Sequence, residues 1–93
     1  MSTAQIKSAF IAALGNAGTC TACTMQYVEG GKMQLLRFYV RFPGVDGESV
    51  LECRVPRGES LIVAAREKGE AIRENPDDPA HSVFQTPASQ VNG

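Results

Sequence analysis

The chain has 93 residues, a formal net charge of −1, 43% hydrophobic residues and 20% charged residues. A chain this short cannot form two independent hydrophobic cores, so we expect one folded domain. The hydrophobic fraction argues against wholesale disorder. Proteins that hold nucleic acid through bulk electrostatics are strongly basic, so the overall charge excludes that class, and any contact with phosphate has to come from a local patch.

Charge is distributed unevenly along the chain. Between positions 32 and 57 there are five basic and three acidic residues, whereas between positions 59 and 78 there are six acidic and three basic residues. The first segment therefore supplies a candidate basic patch, and the second supplies an acidic one.

Cysteine usage and the first residues bear on the compartment. There are three cysteines, and Ser2–Gln5 shows neither a basic start nor an apolar leader. An odd number of cysteines without a signal peptide predicts a reduced, cytoplasmic protein. The longest uncharged stretch, residues 8–28, is interrupted by Gly15, Asn16 and Gly18 and predicts no membrane span.

The first predicted element is a helix over residues 3–14. Ser2 followed three residues later by Gln5 fits a capping box, in which each side chain accepts a free backbone N–H of the first turn. Gly15 stands where a helix commonly ends in a left-handed conformation. The predicted apolar face, at helical spacing, consists of Ile6, Phe10, Ala13 and Leu14.

Three strand-like runs follow, over residues 21–29, 32–42 and 49–55. Gly30-Gly31 predicts a two-residue hairpin turn, and residues 43–47 form a turn by composition. Alternation predicts one face for the core, made of Cys23, Met25, Tyr27, Leu36, Phe38, Val40, Phe42, Leu51, Cys53 and Val55. The opposite face carries Thr24, Gln26, Val28, Leu35, Arg37, Tyr39, Arg41, Val50, Glu52 and Arg54.

A second helix is predicted from Glu59 or Ser60 to Glu74, and Asn75-Pro76 ends it. Gly69 in mid-helix costs about 1 kcal/mol relative to Ala, which indicates a close approach to the sheet or to the first helix. The sequence therefore predicts a single domain over residues 1–75 and a flexible C-terminal tail over residues 76–93. The predicted class is α+β in the order α-β-β-β-α, a three-stranded antiparallel meander with both helices on one face.

The cysteine spacing is a candidate for chemistry. Cys20-Thr21-Ala22-Cys23 has the spacing of half a zinc site, which Cys53 and His81 could complete. Strand alternation places Cys23 and Cys53 toward the core, where free cysteine is a small hydrophobe. No nucleophile, base or Gly-rich phosphate loop forms a set. We therefore expect no enzyme, no cofactor, no metal and no small-molecule substrate, with a small zinc-binding structural or regulatory domain as an alternative.

The outward face of the middle strand indicates a binding site more clearly than the cysteines indicate a metal site. Arg37, Tyr39 and Arg41 stand in line, and Arg54 is expected on the neighbouring strand. Arg offers a planar fork of donors, and both residue types are enriched at interface hot spots. Lys32 and Arg57, at the ends of the strands, extend the predicted partner-binding site. The alternative is an ordinary hydrated face on which Arg37 or Arg41 pairs with Glu52.

The element order resembles that of the double-stranded-RNA-binding domain over roughly residues 3–74. The resemblance rests on residues 27–31, 36–40 and 64–68. It implies a free-standing RNA-binding module. That family grips phosphates with lysines at the start of its last helix, where this chain has Gly58-Glu59-Ser60.

The chain also resembles, in type, the small phage-encoded anti-CRISPR proteins. The shared features are its size, a helix beside a short antiparallel sheet, mild acidity, and an Arg-rich strand combined with an acidic helix. The resemblance implies a non-catalytic inhibitor that docks on a multisubunit CRISPR ribonucleoprotein in the bacterial cytoplasm and blocks target DNA binding. The sheet arginines would reach guide RNA or an acidic subunit surface. We take this as the leading expectation, and the RNA-binding module as its alternative.

Overall fold

A computed structural model describes residues 2–75 and 84–86 of the chain. The elements, in chain order, are α1 (Thr3–Leu14), β1 (Thr19–Val28), β2 (Met33–Arg41), β3 (Glu48–Pro56), α2 (Leu61–Glu74) and β4 (Phe84–Thr86). The strands form one antiparallel sheet in the order β1-β2-β3-β4. The predicted α+β class, the order α-β-β-β-α and the antiparallel meander are confirmed.

The start of α1 is fixed by the capping box that the sequence predicts. The Gln5 N–H donates to Ser2 Oγ at 3.3 Å, and the Ser2 N–H donates to Gln5 Oε1 at 3.1 Å. Both otherwise unpaired donors of the first turn are thereby satisfied. The helix ends at Leu14, and Gly15 follows it with φ 60° and ψ −134°. The positive φ explains the glycine, but this ψ is not that of the left-handed helical cap that was predicted.

Both helices pack on the same face of the sheet, as predicted. The core joins Ile6, Phe10 and Leu14 of α1 with Leu61, Ala65 and Ile72 of α2 and with inward-facing strand residues. The rings of Phe10 and Phe38 stack with their centroids 4.0 Å apart. Cys23, Met25, Phe42 and Cys53 are half-buried against this cluster, so the predicted inward face of the sheet is confirmed except at Tyr27, which is 54% exposed.

The contact between the two helices explains Gly69. A Cβ placed there would lie 2.8 Å from both the Ala13 Cβ and the Phe10 carbonyl oxygen. Real Cβ atoms do not approach other atoms so closely, so only glycine fits this crossing. Of the two partners predicted for Gly69, the structure selects α1. Ser60 caps α2 by accepting the Val63 N–H at 3.2 Å.

Two features of the first hairpin differ from the prediction. Val28 pairs with Met33, so the turn has four residues rather than two, and Glu29, Gly30 and Gly31 all have positive φ. A β-bulge between Cys20 and Ala22 leaves Thr21 without a partner. Positions three apart in a regular strand lie on opposite faces. Because the bulge inserts one residue, Cys20 and Cys23 both face the core.

The structure adds a fourth strand to the three that were predicted. In β4, Phe84 pairs with Val50 and Thr86 with Glu48. The sequence predicts these three residues as part of the tail, because three residues are too few to show the alternating pattern of a strand. The other residues of the predicted tail lie outside the described part of the chain. Within the described residues, neither helix is long and apolar enough to cross a membrane.

Candidate functional site on the outer face of the sheet

The outer face is the side of the sheet opposite the two helices. Its central row runs along β2 through Leu35, Arg37, Tyr39 and Arg41. Register fixes their neighbours: Arg37 stands between Thr24 of β1 and Glu52 of β3. Tyr39 stands between Ala22 and Val50 in the same way. The sheet therefore brings Arg37, Tyr39, Arg41 and Arg54 together, as the sequence predicts.

Each arginine on this face has a glutamate beside it. Arg37 Nε donates to Glu52 Oε2 at 2.7 Å, directly across β2 and β3. Arg54 pairs with Glu29 of the first turn. Arg41 Nε lies 3.8 Å from Glu48 Oε2, too far for a hydrogen bond. The outer face is thus a balanced array of three cations and three anions rather than the basic patch that was predicted.

The three pairs differ in how firmly they hold their arginine. The Arg37 and Glu52 side chains are only 37% and 24% exposed, so their short contact is the best shielded from solvent. The Arg41 side chain is 68% exposed. Glu48 is also shared, because Thr21 Oγ1 donates to the same Oε2 at 2.9 Å. Exposed pairs are worth about 0–1 kcal/mol, so Arg41 can exchange Glu48 for another acceptor at little cost.

The centre of the outer face is apolar and well packed. Leu35 is 6% exposed and Val50 3% exposed, although both lie on the side away from the helices. Tyr39 is half-buried beside Val50. Buried apolar residues beside an aromatic ring, with charged groups around them, have the composition of an interface centre and rim.

Lys32 and Arg57 do not belong to the outer face. Both lie at the β1–β2 turn, at the end of the sheet away from Arg41, where the Arg57 N–H donates to the Lys32 carbonyl at 3.0 Å. The Arg57 guanidinium lies 5.1 Å from the centre of the Tyr27 ring, a cation–π contact. The six predicted residues are therefore divided between the outer face and this turn.

The carboxylates that neutralise the outer face were missed in part. The sequence named Glu52 as an alternative partner, but it did not identify Glu48 or Glu29. The signal for Glu48 lies in the register: once Arg37 stands opposite Glu52, continuing the antiparallel pairing brings Glu48 beside Arg41. No sequence pattern gives Glu29, since its position follows from its left-handed φ of 54° in a four-residue turn.

The three cysteine side chains are buried or half-buried and do not form a reactive site. Burial raises the pKa of the Cys23 thiol from 9.0 to about 11. Burial also raises the thiol pKa values of Cys20 and Cys53. These thiols are protonated at neutral pH and are poor nucleophiles. Among the described residues, no three His, Cys, Asp or Glu side chains cluster as metal ligands would. His81 lies outside those residues.

The comparisons with known proteins supply no relative. The chain matches no family model, no curated protein and no solved structure. A function for it therefore has to be argued from the outer face itself.

Proposed function

We propose that this chain is a non-catalytic binding protein that docks on a protein surface through the outer face of its sheet. The observation that carries the proposal is the arrangement around Tyr39: a packed apolar floor, bordered by three exposed or half-exposed arginines and their glutamates. Because Leu35 and Val50 are almost fully buried, the contact area at the centre comes from the half-buried Tyr39. The charged rim around it gives a partner its orientation.

Charge balance favours a protein partner over bare nucleic acid. A phosphate backbone attracts a surface through an excess of cations, whose binding releases counterions. Here each arginine faces a carboxylate, so a phosphate would meet a nearby glutamate at every contact. A protein partner with its own alternating charges can match both signs, and it can pair with the loosely held Arg41.

We propose further that the partner is a multisubunit RNA-guided CRISPR complex, and that docking blocks its access to target DNA. This step rests on the resemblance in type to small anti-CRISPR proteins. The acidic helix that belongs to that resemblance does not support it, because α2 contains three acidic and three basic residues (Glu67, Glu70, Glu74, Arg66, Lys68 and Arg73) and is neutral overall. The charged groups of the outer face are therefore the ones on which docking would depend.

The test is inhibition of target DNA binding by a purified multisubunit surveillance complex with its guide RNA. Wild type is expected to inhibit at about one equivalent. Arg41→Glu is expected to weaken inhibition at least tenfold, because it replaces the most exposed rim cation with an anion beside Glu48. The matched control is Arg66→Glu, the same charge change at an exposed position of α2. Equal inhibition by wild type and Arg41→Glu would remove the outer face from the proposal.

A charge-swap variant distinguishes an effect of the charge positions on binding from an effect on the stability of the fold. Exchanging Arg37→Glu with Glu52→Arg keeps the cross-strand pair and the net charge. The fold is therefore expected to persist, while a partner that reads the positions of the charges loses its match. Tight binding of the chain to naked duplex RNA, with a steep dependence on salt, would instead favour the RNA-binding module.

A further inference from the structure

Strand β1 lies at one edge of the sheet, separate from the outer face. Within the described residues, β1 is an outermost strand and pairs only with β2. Its ten residues, Thr19–Val28, include no charged residue and no proline. Edge strands are normally protected from pairing with other chains by charges, prolines, bulges or very short length. This one is long and uncharged, and its single bulge lies near one end.

The protected part of the edge can be separated from the unprotected part. The bulge lies at Thr21, and Lys7 of α1 donates to the Thr21 carbonyl oxygen at 3.3 Å, so that end of the edge is already occupied. From Ala22 to Val28 the pairing with β2 is regular. In a strand with one paired neighbour, about half of the backbone N–H and C=O groups point away from that neighbour. Within the part of the chain that the structure describes, these seven residues thus present a row of backbone groups without a partner.

We propose that this edge pairs with the same edge of a second copy, antiparallel and about a twofold axis at Met25. In a twofold contact, residue i of one copy faces residue j of the other and j faces i, so a charge close to the axis would lie near its own counterpart. The absence of charge from the whole of β1 removes that obstacle. With Met25 on the axis, Ala22 faces Val28 and Thr24 faces Gln26 of the partner copy, which uses all seven residues of the regular segment.

This register, like any register centred on a residue, also matches the two faces of the joined sheets. Each pair formed about an axis through a residue joins positions of the same parity, so helix-side residues meet helix-side residues. Met25 then meets its own copy, and Cys23 meets Tyr27. Tyr27, which is 54% exposed in the single chain, gains a half-buried neighbour. Thr24 and Gln26, both exposed, form polar pairs on the outer side.

The resulting assembly would be a continuous antiparallel sheet that carries two copies of the outer face. Edge pairing involves β1 alone, so Arg37, Tyr39 and Arg41 of β2 stay accessible. The dimer therefore does not depend on the proposed docking function, and either can fail without the other.

The experiment measures molar mass in solution, by sedimentation equilibrium on the full chain at 5 to 200 µM, since weak edge pairing is sensitive to concentration. Wild type is expected to approach twice its 9.9 kDa mass at the upper end. The variant Thr24→Lys/Gln26→Lys puts two introduced lysines opposite each other at both pairs and is expected to be monomeric throughout.

The matched control uses the same two positions. Thr24→Lys/Gln26→Glu places an introduced lysine opposite an introduced glutamate of the other copy, twice, and is expected to dimerise at least as well as wild type. Circular dichroism checks that both variants keep the fold. A wild type that is monomeric at 200 µM overturns the proposal. Equal molar masses for the two variants would also overturn it, because the charges at positions 24 and 26 would then not face each other across a twofold axis.

Discussion

Replacing Gly69 by alanine tests the packing of the two helices, because two effects of known sign oppose each other. Alanine favours an exposed helix by about 1 kcal/mol over glycine. At Gly69, however, the added Cβ would lie 2.8 Å from the Phe10 carbonyl oxygen and 3.1 Å from the Leu14 nitrogen. These are backbone atoms, so no side-chain rotation relieves the contact, and the helices must separate by about 0.7 Å to reach an ordinary distance.

Overpacking of this kind costs typically 1–3 kcal/mol, and rigid backbone neighbours place Gly69→Ala in the upper part of that range. After subtracting the gain in helix propensity, we expect a net loss of about 1–2 kcal/mol in the free energy of unfolding. Urea denaturation measures it as a midpoint lowered by about 1 M. Ala71→Gly is the control, since Ala71 is exposed on the same helix and reports propensity alone. A variant Gly69→Ala that is more stable than wild type would refute the close approach of α1 and α2.

Two further predictions concern the first helix and the cysteines. Ser2→Ala removes one acceptor of the capping box and is expected to lower the free energy of unfolding, measured by heat or urea, by about 1 kcal/mol. The control Ser8→Ala, at an exposed mid-helix position, is expected to lower it little. Equal losses of stability in the two variants would contradict the cap. The Cys23 thiol has its pKa raised to about 11, so the folded state retains a proton that the unfolded state releases above pH 9. Wild type is therefore expected to lose stability relative to Cys23→Ala by about 1 kcal/mol per pH unit between pH 9 and 11, with no relative change below pH 8. Parallel stability curves for the two proteins across that range would show that the thiol is not buried in the way described.

The elements that local chemistry determines could be predicted from the sequence. Ser2 and Gln5 specify the start of α1 because a capping box involves only residues three apart, and Gly15 specifies its end. Alternation along residues 32–42 separated Phe38 from Arg37 correctly because β2 is central and regular. The sequence predicts a close contact at Gly69, because glycine in mid-helix is unfavourable unless a neighbour leaves no room for a side chain. Only the structure shows that this neighbour is α1.

The parts that the sequence could not give depend on tertiary geometry. The bulge at Thr21 leaves no mark in composition, yet it decides that Cys20 faces the core. The sequence predicts a basic site because the outward positions of the middle strand carry arginines and no carboxylate. Their glutamates come from β3 and from the first turn and are brought beside them only by register. What the structure changes is therefore the charge of the site, from a basic strand to a balanced face.

The most direct test of the central claim is a titration of the purified chain into a multisubunit surveillance complex, with binding of labelled target DNA as the readout. We predict loss of DNA binding near one equivalent of wild type, retained inhibition by Arg66→Glu, and at least tenfold weaker inhibition by Arg41→Glu. Undiminished DNA binding at a large excess of wild type would contradict the proposed partner. Inhibition as strong as that of wild type, both by Arg41→Glu and by the charge-swapped pair at positions 37 and 52, would contradict docking through the outer face.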